Sequence, residues 1–488
     1  MPLRPFSREQ TWLLPPTLED LLPQDHPARF VAVFVDSLDQ KARTEMSLVL
    51  GGDPLGAPAY HPEALLSVWL YGFMTGVRSC RKLEAACRDQ IPYLWLTGWQ
   101  RPDHNTLWRF YQARRGTMRG LLKGTVATAL KLGLVDLAVQ AVDGTKVAAN
   151  AAKDRTHDAA GLQRLLEPTE AAILDLEAQN QGGEDAPPPR LPPELSQLQG
   201  LRAQVRGAMQ QVAREGLQRV NLTDGDAPLM KGRQGIIAGY NAQAVVSPLN
   251  PQVAPRSGFI ITATEVVQDP DDTAQLLPML EEAEATTCER AGTTLSDGGY
   301  YSGENLERCA AGGRRVVMPE GRRSSRQHPY HRDQFRYQEA SDRYTCPQGQ
   351  HLQFRGIKQR SGRVTVRVYQ GEAGVCRCCP AFGVCTKDRR QGRKLEIGPH
   401  EEAVQRHRLW MATDEAKAAY KLRKTLVEPV FGILKEQQGA RRFLLRGLAK
   451  VRAEWGLLAT AFNLRTLWRV WADWGGQWPR TSWAQGEF

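Results

Sequence analysis

The sequence lacks the features of a membrane-spanning chain, a secreted chain or a disulfide-stapled scaffold. It has no run of about 18 apolar residues, so no transmembrane helix is predicted. The N-terminal residues MPLRPFSREQTW contain no apolar stretch of the kind found in signal peptides. Its nine cysteines, an odd number, favour reduced thiols or metal ligands over a disulfide framework. We therefore expect a soluble, cytosolic protein.

The length and the charge of the chain indicate several domains and an anionic partner. At 488 residues the chain exceeds one ordinary core, so two to four domains are expected. The net charge of +11 suits a polyanion such as nucleic acid, although charge alone does not determine a fold.

The N-terminal quarter of the sequence has a helical pattern. Residues 1–58 are Pro-rich with one predicted helix around 27–46, and residues 59–133 are helical throughout. Ser79 is suited to cap a short helix, and Asp103 a longer one that ends at Gly133. This pattern predicts a helix-turn-helix-like DNA-binding domain.

The charge of this region supports DNA contact. From Arg78 to Lys123 there are ten Lys/Arg and three Asp/Glu. The bases Arg109 and Arg114 of the longer helix are the predicted phosphate contacts. The alternative is an ordinary helical packing domain with a solvated basic face.

An α/β layer is predicted after residue 133. β-branched or alternating residues predict strands, and a helix follows the third of them. The strands are 137–142, 238–246, 258–267, 293–296 and 314–319, and the helix is 272–285. Asp143 and Asp297 follow two of these strands, at the strand ends where α/β sheets place ligands.

Two segments interrupt this layer. Residues 151–222 hold two helical stretches around the Gly/Pro-rich linker 180–194, with eight basic and ten acidic residues, which favours packing or self-association over DNA contact. Residues 320–400 are Arg-rich and contain five of the nine cysteines.

Three carboxylates are candidates for one catalytic site. Asp143 opens the predicted turn DGTK, Asp297 opens DGGYY, and Glu428 lies on a predicted late helix. Carboxylate oxygens are the ligands that Mg²⁺ prefers, and two such ions can hold the attacking and leaving oxygens of a phosphodiester displacement. Taken singly, the aspartates also suit ordinary hairpin turns and the glutamate a solvated helix face.

Several motifs follow one another over about residues 59–465. The motifs are HPEALLSVWLYGF, SCRKLEAACRD, RPDHNTLWRF, VDGTKVAAN, TDGDAPLMK with GYNAQAVV, LSDGGYYSGENL, RKTLVEPVFGILK and RRFLLRGLAKVRAEW. In this order they resemble the DDE transposases of bacterial insertion sequences, in the group with a Cys-rich insertion.

The resemblance implies a fold and a reaction. The expected fold is α/β and multidomain, with an all-α helix-turn-helix-like domain followed by a ribonuclease-H-like mixed sheet. Asp143, Asp297 and Glu428 would bind two Mg²⁺ ions and catalyse cleavage and strand transfer at the ends of the element. The expected partner is double-stranded DNA, both terminal inverted repeats and target. A homodimer on DNA and a bacterial, nucleoid-associated cytoplasmic location are also expected.

The expected domain bounds follow from the same resemblance. They are an N-terminal segment 1–58, a DNA-binding domain 59–133, a core formed by 134–150, 223–319 and 401–465, a helical hairpin 151–222, a Cys/Arg-rich insertion 320–400 and a Trp-rich tail 466–488.

The residues around Glu428 resemble a Tyr-Arg-Glu-Lys signature of this family. Tyr420 and Arg423 fit the first spacing, and Lys435 fits the last. The middle gap is one residue too long, which divides the expected arginine role between Arg423 and Lys424. These four residues are predicted DNA contacts. Pro429 predicts either a kink in the helix or a helix that restarts at this residue.

Four cysteines have a spacing that suits a structural zinc ion. Cys346, Cys376, Cys379 and Cys385 form C-x29-C-x2-C-x5-C, with a single C-x2-C pair of ideal spacing. The alternative is a group of reduced structural cysteines.

Further basic and aromatic segments surround these motifs. The stretches 314–336 and 435–452 each carry a local charge of +5 and are candidate DNA surfaces. The tryptophans after residue 467 recur every three residues at first, which predicts a packing stripe. Alternative functions are a nuclease of the same fold that does not join DNA, and an inactive, domesticated DNA-binding protein.

Overall fold

The computed structural model describes most of the chain. The described residues are 17–46, 59–179, 193–232, 235–320, 328–359, 365–388 and 390–478. The chain divides into two compact units, and each is described by itself. The first unit comprises residues 1–270, 278–291 and 424–488, and the second comprises 271–277 and 292–423. The fold is mixed α/β, as predicted.

The first unit is rich in helices. These are α1 (Pro27–Asp36), α2 (Gln40–Glu45), α3 (Pro62–Thr75), α4 (Cys80–Asp89), α5 (Ile91–Leu96), α6 (His104–Met118), α7 (Gly120–Lys131), α8 (Ala159–Gln179), α9 (Pro193–Glu215), most of α10 (Leu276–Thr287) and α15 (Leu448–Asp473). The sequence dictates several of their ends. Ser79 and Asp103 accept hydrogen bonds from the amides of Lys82 and Thr106, so both predicted caps are confirmed.

The predicted helix-turn-helix motif is not confirmed. The short helix α5 lies between α4 and α6, and the single long helix predicted from His104 to Gly133 is two helices that meet at Arg119. Gly116, Thr117 and Gly120 are poor helix formers around this junction. Similarly, the helix predicted around 27–46 is divided into α1 and α2, because Asp39 caps a second start.

The sheet of the first unit is built on one long strand. Strands β1 (Val139–Ala148), β4 (Leu229–Gly232), β5 (Gly235–Pro248) and β6 (Phe259–Val267) belong to it, and a separate short pair joins β2 (Thr156–His157) to β3 (Val220–Asn221). β5 pairs antiparallel with β1, with β6 and, near its start, with β4. Most residues of β5 are buried, which accounts for its nearly continuous apolar and small-residue sequence.

Helix α15 provides much of the core of the first unit. It packs against β6, α3 and α7, and side chains from all around it are buried. α3 is also buried on nearly all sides, as its apolar sequence predicts. Near the end of α15 the ring of Trp471 lies 5.6 Å from that of Phe30, and the ring of Trp478, beyond the helix, lies 5.8 Å from it. Trp474 packs against Trp478 and Trp468 donates to the Asp25 carbonyl, so these tryptophans have packing roles, and Trp483 lies outside the described residues.

The hairpin segment of the first unit contains the two helices predicted there. α8 and α9 pack together around a small apolar cluster that includes Leu162, Val205 and Val220. Most of the linker predicted between them lies outside the described residues.

The second unit contains a parallel strand pair and a five-stranded sheet. Its elements are β7 (Thr293–Leu295), α11 (Gly303–Ala311), β8 (Val316–Val317), β9 (Arg336–Gln338), β10 (Arg343–Thr345), β11 (His351–Gln359), β12 (Thr365–Gly371), α12 (Ala373–Arg377), β13 (Lys394–Ile397), α13 (Glu401–Ala412) and most of α14 (Asp414–Gly432). β7 and β8 are parallel. The larger sheet is antiparallel in the order β13-β12-β11-β10-β9. Its core contains Phe335, Tyr344 and Tyr369.

In the part of the chain that the structure describes, no helix is both long enough and apolar enough to cross a membrane.

Candidate functional site

Asp143 lies in the middle of a strand, which corrects one prediction. β1 continues through the expected DGTK turn to Ala148, and Asp143 pairs with Ala244 of β5. The strand does not turn because β5 offers a partner along this whole segment. The Asp143 side chain is half-buried, and its Oδ1 accepts a hydrogen bond of 2.9 Å from the Gly144 amide.

Lys435 contacts the same strand two residues beyond Asp143. Its Nζ donates a hydrogen bond to Thr145 Oγ1. Residues two apart in a strand point to the same face, so Lys435 reaches the face of β1 that carries Asp143. Lys435 belongs to a π-helical turn, Ile433–Gln437, that directly follows α14. π-helical turns inside helices occur frequently at functional sites. The predicted phosphate contact therefore also positions the end of α14 on β1.

Glu428 is exposed on α14, and the helix continues past Pro429. Pro429 predicted either a kink or a restart, and the restart does not occur, since α14 runs without a break from Asp414 to Gly432. Proline removes the amide that would bond to the Thr425 carbonyl, and the helix widens into the π-helical turn four residues later. Val427 and Val430 are fully buried beside the exposed carboxylate, which fixes the side of the helix that faces solvent.

Asp297 follows β7, as predicted, and begins a short 3-10 turn. Its Oδ1 accepts a 2.8 Å hydrogen bond from the amide of Gly299, so Asp297 caps the turn Gly298–Tyr300. The Arg423 guanidinium lies 3.8 Å from Asp297 Oδ2 and is 11% exposed. The sequence divided the expected arginine role between Arg423 and Lys424, and Arg423 is the one that lies beside Asp297. Lys424 is exposed and Tyr420 is half-buried.

Two further aspartates, Asp271 and Asp272, lie next to this turn and were not predicted from the sequence. A side chain at Gly299 would place its Cβ 2.9 Å from Asp297 Oδ1 and 3.3 Å from Asp272 Oδ2. The glycine therefore leaves room for the two carboxylates. The Thr273 hydroxyl lies within hydrogen-bond distance of two acceptors, Asp271 Oδ1 at 2.7 Å and the Gly299 carbonyl at 3.0 Å. The acidic run QDPDD was the available signal in the sequence.

The predicted DNA contacts of the N-terminal helices differ in exposure. Arg109 is exposed on α6. Arg114 is engaged within the protein, because its Nε donates 2.8 Å to the Met46 carbonyl and its guanidinium lies 4.6 Å from the Phe110 ring centre.

Many bases of the stretch 435–452 also have partners within the protein. Arg442 and Arg446 donate to the carbonyls of Ala149 and Asn150, and Arg452 pairs with Glu265 at 2.7 Å. These contacts attach the segment to its surroundings in the first unit. Part of the other basic stretch, residues 321–327, lies outside the described residues.

The four predicted cysteines line one cavity of about 420 Å³. The Sγ atoms of Cys346 and Cys376 accept hydrogen bonds of 3.3 and 3.4 Å from the amides of Gln350 and Arg393. Burial, with smaller effects from the neighbouring thiols, raises the pKa of Cys385. Cys378 is exposed.

The expectation of zinc is not supported. Among the described residues, no group of three or more His, Cys, Asp or Glu side chains is arranged to hold a metal ion. The C-x2-C spacing brings the cysteines to one cavity, but spacing alone does not fix the tetrahedral arrangement that zinc requires. By the same observation, the described residues contain no cluster of carboxylates that is already arranged to hold Mg²⁺.

Two transposase families match the chain. Residues 345–468 match the family described as Transposase DDE domain, and residues 16–113 match the family described as Transposase domain (DUF772). No curated protein matches the chain. Two separate segments of the chain are therefore similar to transposase domains. More narrowly, they support a DDE transposase of the insertion-sequence type. Glu428 lies within the matched residues, whereas Asp143 and Asp297 lie outside both ranges.

Proposed function

We propose that this chain cuts and joins DNA at the ends of its own insertion sequence, using Asp143, Asp297 and Glu428. The observation that carries the proposal is the match of residues 345–468, which include Glu428, to a transposase DDE domain. Asp297 at a strand end beside Arg423, and Asp143 on a strand that Lys435 contacts, support the same assignment.

The chemistry of the three side chains fits divalent metal ions. All three are hard oxygen donors, and each is at least partly exposed. We propose that they hold two Mg²⁺ ions. When bound, such ions lower the pKa of the attacking water or DNA 3′-hydroxyl and neutralise charge on the phosphate. No side chain is required as a nucleophile, so no covalent enzyme intermediate is expected.

The neighbouring side chains have positioning roles in this proposal. Gly299 donates its amide to Asp297 and Arg423 approaches the other carboxylate oxygen, which together restrict the orientation of the carboxylate. Lys435 holds the π-helical turn against Thr145. A fixed end of the Glu428 helix limits the freedom of that carboxylate, as accurate positioning of catalytic groups requires.

We infer a ribonuclease-H-like core with the domain bounds given above. The antiparallel arrangement of β6, β5 and β1, with Asp143 on β1, supports it, as does the parallel pair β7 and β8, with Asp297 after β7. We further propose that the helical segment 59–133 binds duplex DNA, that the chain dimerises on DNA, and that it acts on the bacterial nucleoid. The net charge of +11 favours such a partner.

The test is an in vitro DNA cleavage assay. The purified full chain is incubated with DNA duplexes that carry the two ends of the insertion sequence that encodes it. We expect cleavage with Mg²⁺ and little with Ca²⁺. Asp143→Asn, Asp297→Asn and Glu428→Gln should each lower the cleavage rate at least about a hundredfold while DNA binding is retained. Asp414→Asn, which removes a fully exposed carboxylate at the start of α14, is the matched control and should cleave normally.

The products distinguish the remaining functions. Donor ends joined to target DNA support a transposase, whereas cleavage without joining supports a nuclease. If the wild-type chain binds the ends but never cleaves them, the chain is a DNA-binding protein without catalysis. Normal cleavage by Asp297→Asn would remove that residue from the site.

A further inference from the structure

We propose that the outer part of the β11–β12 hairpin is a ribbon that contacts duplex DNA in the major groove. This proposal rests on DNA being the substrate. The ribbon comprises Phe354–Gln359 of β11 together with Thr365–Arg367 of β12. Residues 360–364 between them are outside the described residues and are not part of the proposed surface.

The strand pairing makes this part of the hairpin a two-stranded projection. β10 pairs with β11 only over His351–Gln353, and β13 pairs with β12 only over Arg367–Gln370. The β11–β12 pairing continues outward as far as Gln359 and Thr365. Arg367 pairs with Ile397 of β13, and outward of this residue the described hairpin has no third strand. The major groove of B-DNA admits a two-stranded β-ribbon.

The ribbon exposes an apolar patch that the fold does not cover. Ile357 is 68% exposed and Phe354 is 38% exposed. Ile357 lies directly opposite Arg367, whose guanidinium is 4.8 Å from the Phe354 ring centre. The three side chains thus form one surface that combines apolar groups with a cation. In the major groove, apolar side chains contact thymine methyl groups.

The charge of the two strands favours a polyanion over an apolar protein partner. β11 and β12 contain three Lys/Arg residues, Arg355, Lys358 and Arg367, and no Asp or Glu. Arg355 is the extra residue of a β-bulge, between Phe354 and Gly356, and it is exposed. A bulge re-aims a side chain relative to the regular strand. No ion pair of Arg355 is present in the described structure.

The other two bases have partners on neighbouring segments. Lys358 Nζ lies 3.3 Å from half-buried Glu396, and Arg367 lies 2.6 Å from Asp342, whose side chain is 40% exposed. The side chains of Lys358 and Arg367 are 54% and 49% exposed, so both cations are accessible to phosphates. The ribbon therefore offers up to three phosphate contacts around an apolar centre.

The proposal is tested by the salt dependence of binding. The probe is a short random-sequence DNA duplex, and the full chain is titrated against it at several KCl concentrations. Arg355→Ala/Lys358→Ala should reduce the slope of log K against log[salt] by about two, since each lost phosphate contact lowers it by about one. Arg406→Ala/Lys417→Ala removes two exposed bases from α13 and α14 and is the matched control, with an unchanged slope expected.

Further variants and probes separate duplex contact from single-strand binding and from loss of folding. Ile357→Ser should weaken duplex binding without changing the slope, because it removes no charge. Circular dichroism of each variant checks that the sheet is intact. Equal slopes for the two double variants would overturn the proposal. It would also be overturned if the wild-type chain binds a single strand of the same length more tightly than the duplex, and if the ribbon substitutions weaken binding to both probes equally. Failure of the proposed function is distinguishable, because it appears as absent cleavage by the wild-type chain, whatever the ribbon variants bind.

Discussion

The buried ion pair between Arg78 and Glu454 offers a quantitative test of how the first unit is held together. The two side chains are 5% and 2% exposed. Arg78 also donates to the carbonyls of Gly439 and Arg442, and Glu454 accepts from the amides of Leu444 and Leu445 at 3.0 Å. The pair therefore attaches the segment between α3 and α4 to the loop that follows the π-helical turn.

Removal of either charge alone should be costly. Arg78→Met leaves a buried carboxylate without its counter-ion, and Glu454→Gln leaves a buried guanidinium, so we expect each to lower the free energy of unfolding by roughly 3–5 kcal/mol. The double variant Arg78→Met/Glu454→Gln buries no isolated charge. It should therefore lose less than the sum of the two single losses, with a coupling of about 2 kcal/mol or more.

Urea unfolding followed by tryptophan fluorescence measures these differences, since Trp455 is fully buried next to Glu454. The midpoint shift multiplied by the slope gives each free-energy change. If the double variant loses the full sum of the single losses, the two residues do not act as a pair. If Glu454→Gln changes stability by less than about 1 kcal/mol, the carboxylate charge is not the feature that holds the loop.

Two further predictions concern the second unit and the thiols. Burial lowers the pKa of His407, whose Nε2–H donates to the Met318 carbonyl, so its contribution to stability is present above about pH 6.5 and is lost as the pH falls below it. His407→Gln should flatten the loss of stability between about pH 7 and 5 measured by urea unfolding, and an unchanged pH dependence would contradict this. For the thiols, exposed Cys288 and Cys378 should react first with Ellman's reagent, whereas burial raises the pKa of Cys87 to about 12 and should keep it unreactive until the chain unfolds. Mass mapping of the labelled cysteines measures the order, and early labelling of Cys87 would refute it.

Local signals in the sequence predicted the elements better than their bounds. The caps at Ser79 and Asp103 were correct because a single side chain bonds a nearby amide, which is a local property. Asp143 was placed in a turn because Asp-Gly is a strong turn signal. Its strand continues because β5, about a hundred residues later in the sequence, pairs with it.

The candidate site shows the same division between local and long-range information. The turn at Asp297 follows from SDGGY, since the aspartate caps its own turn. The approach of Asp272 to that turn and the bond from Lys435 to Thr145 depend on contacts between distant segments, and no spacing rule encodes them. Pro429 left a kink and a helix restart as alternatives. The helix α14 continues through this residue, because burial of Val427 and Val430 stabilises it on both sides.

The position of α15 in the chain has a consequence for synthesis on the ribosome. This helix fills the core of the first unit, where it packs against α3, α7 and β6, but it is among the last segments to be made. At about 5–20 residues per second, α3 leaves the ribosome tens of seconds before its partner helix exists. The helices α1, α4, α5 and α6 are made at about the same time as α3 and can cover part of it. The side of α3 that packs on α15 must stay exposed until nearly the whole sequence has been translated.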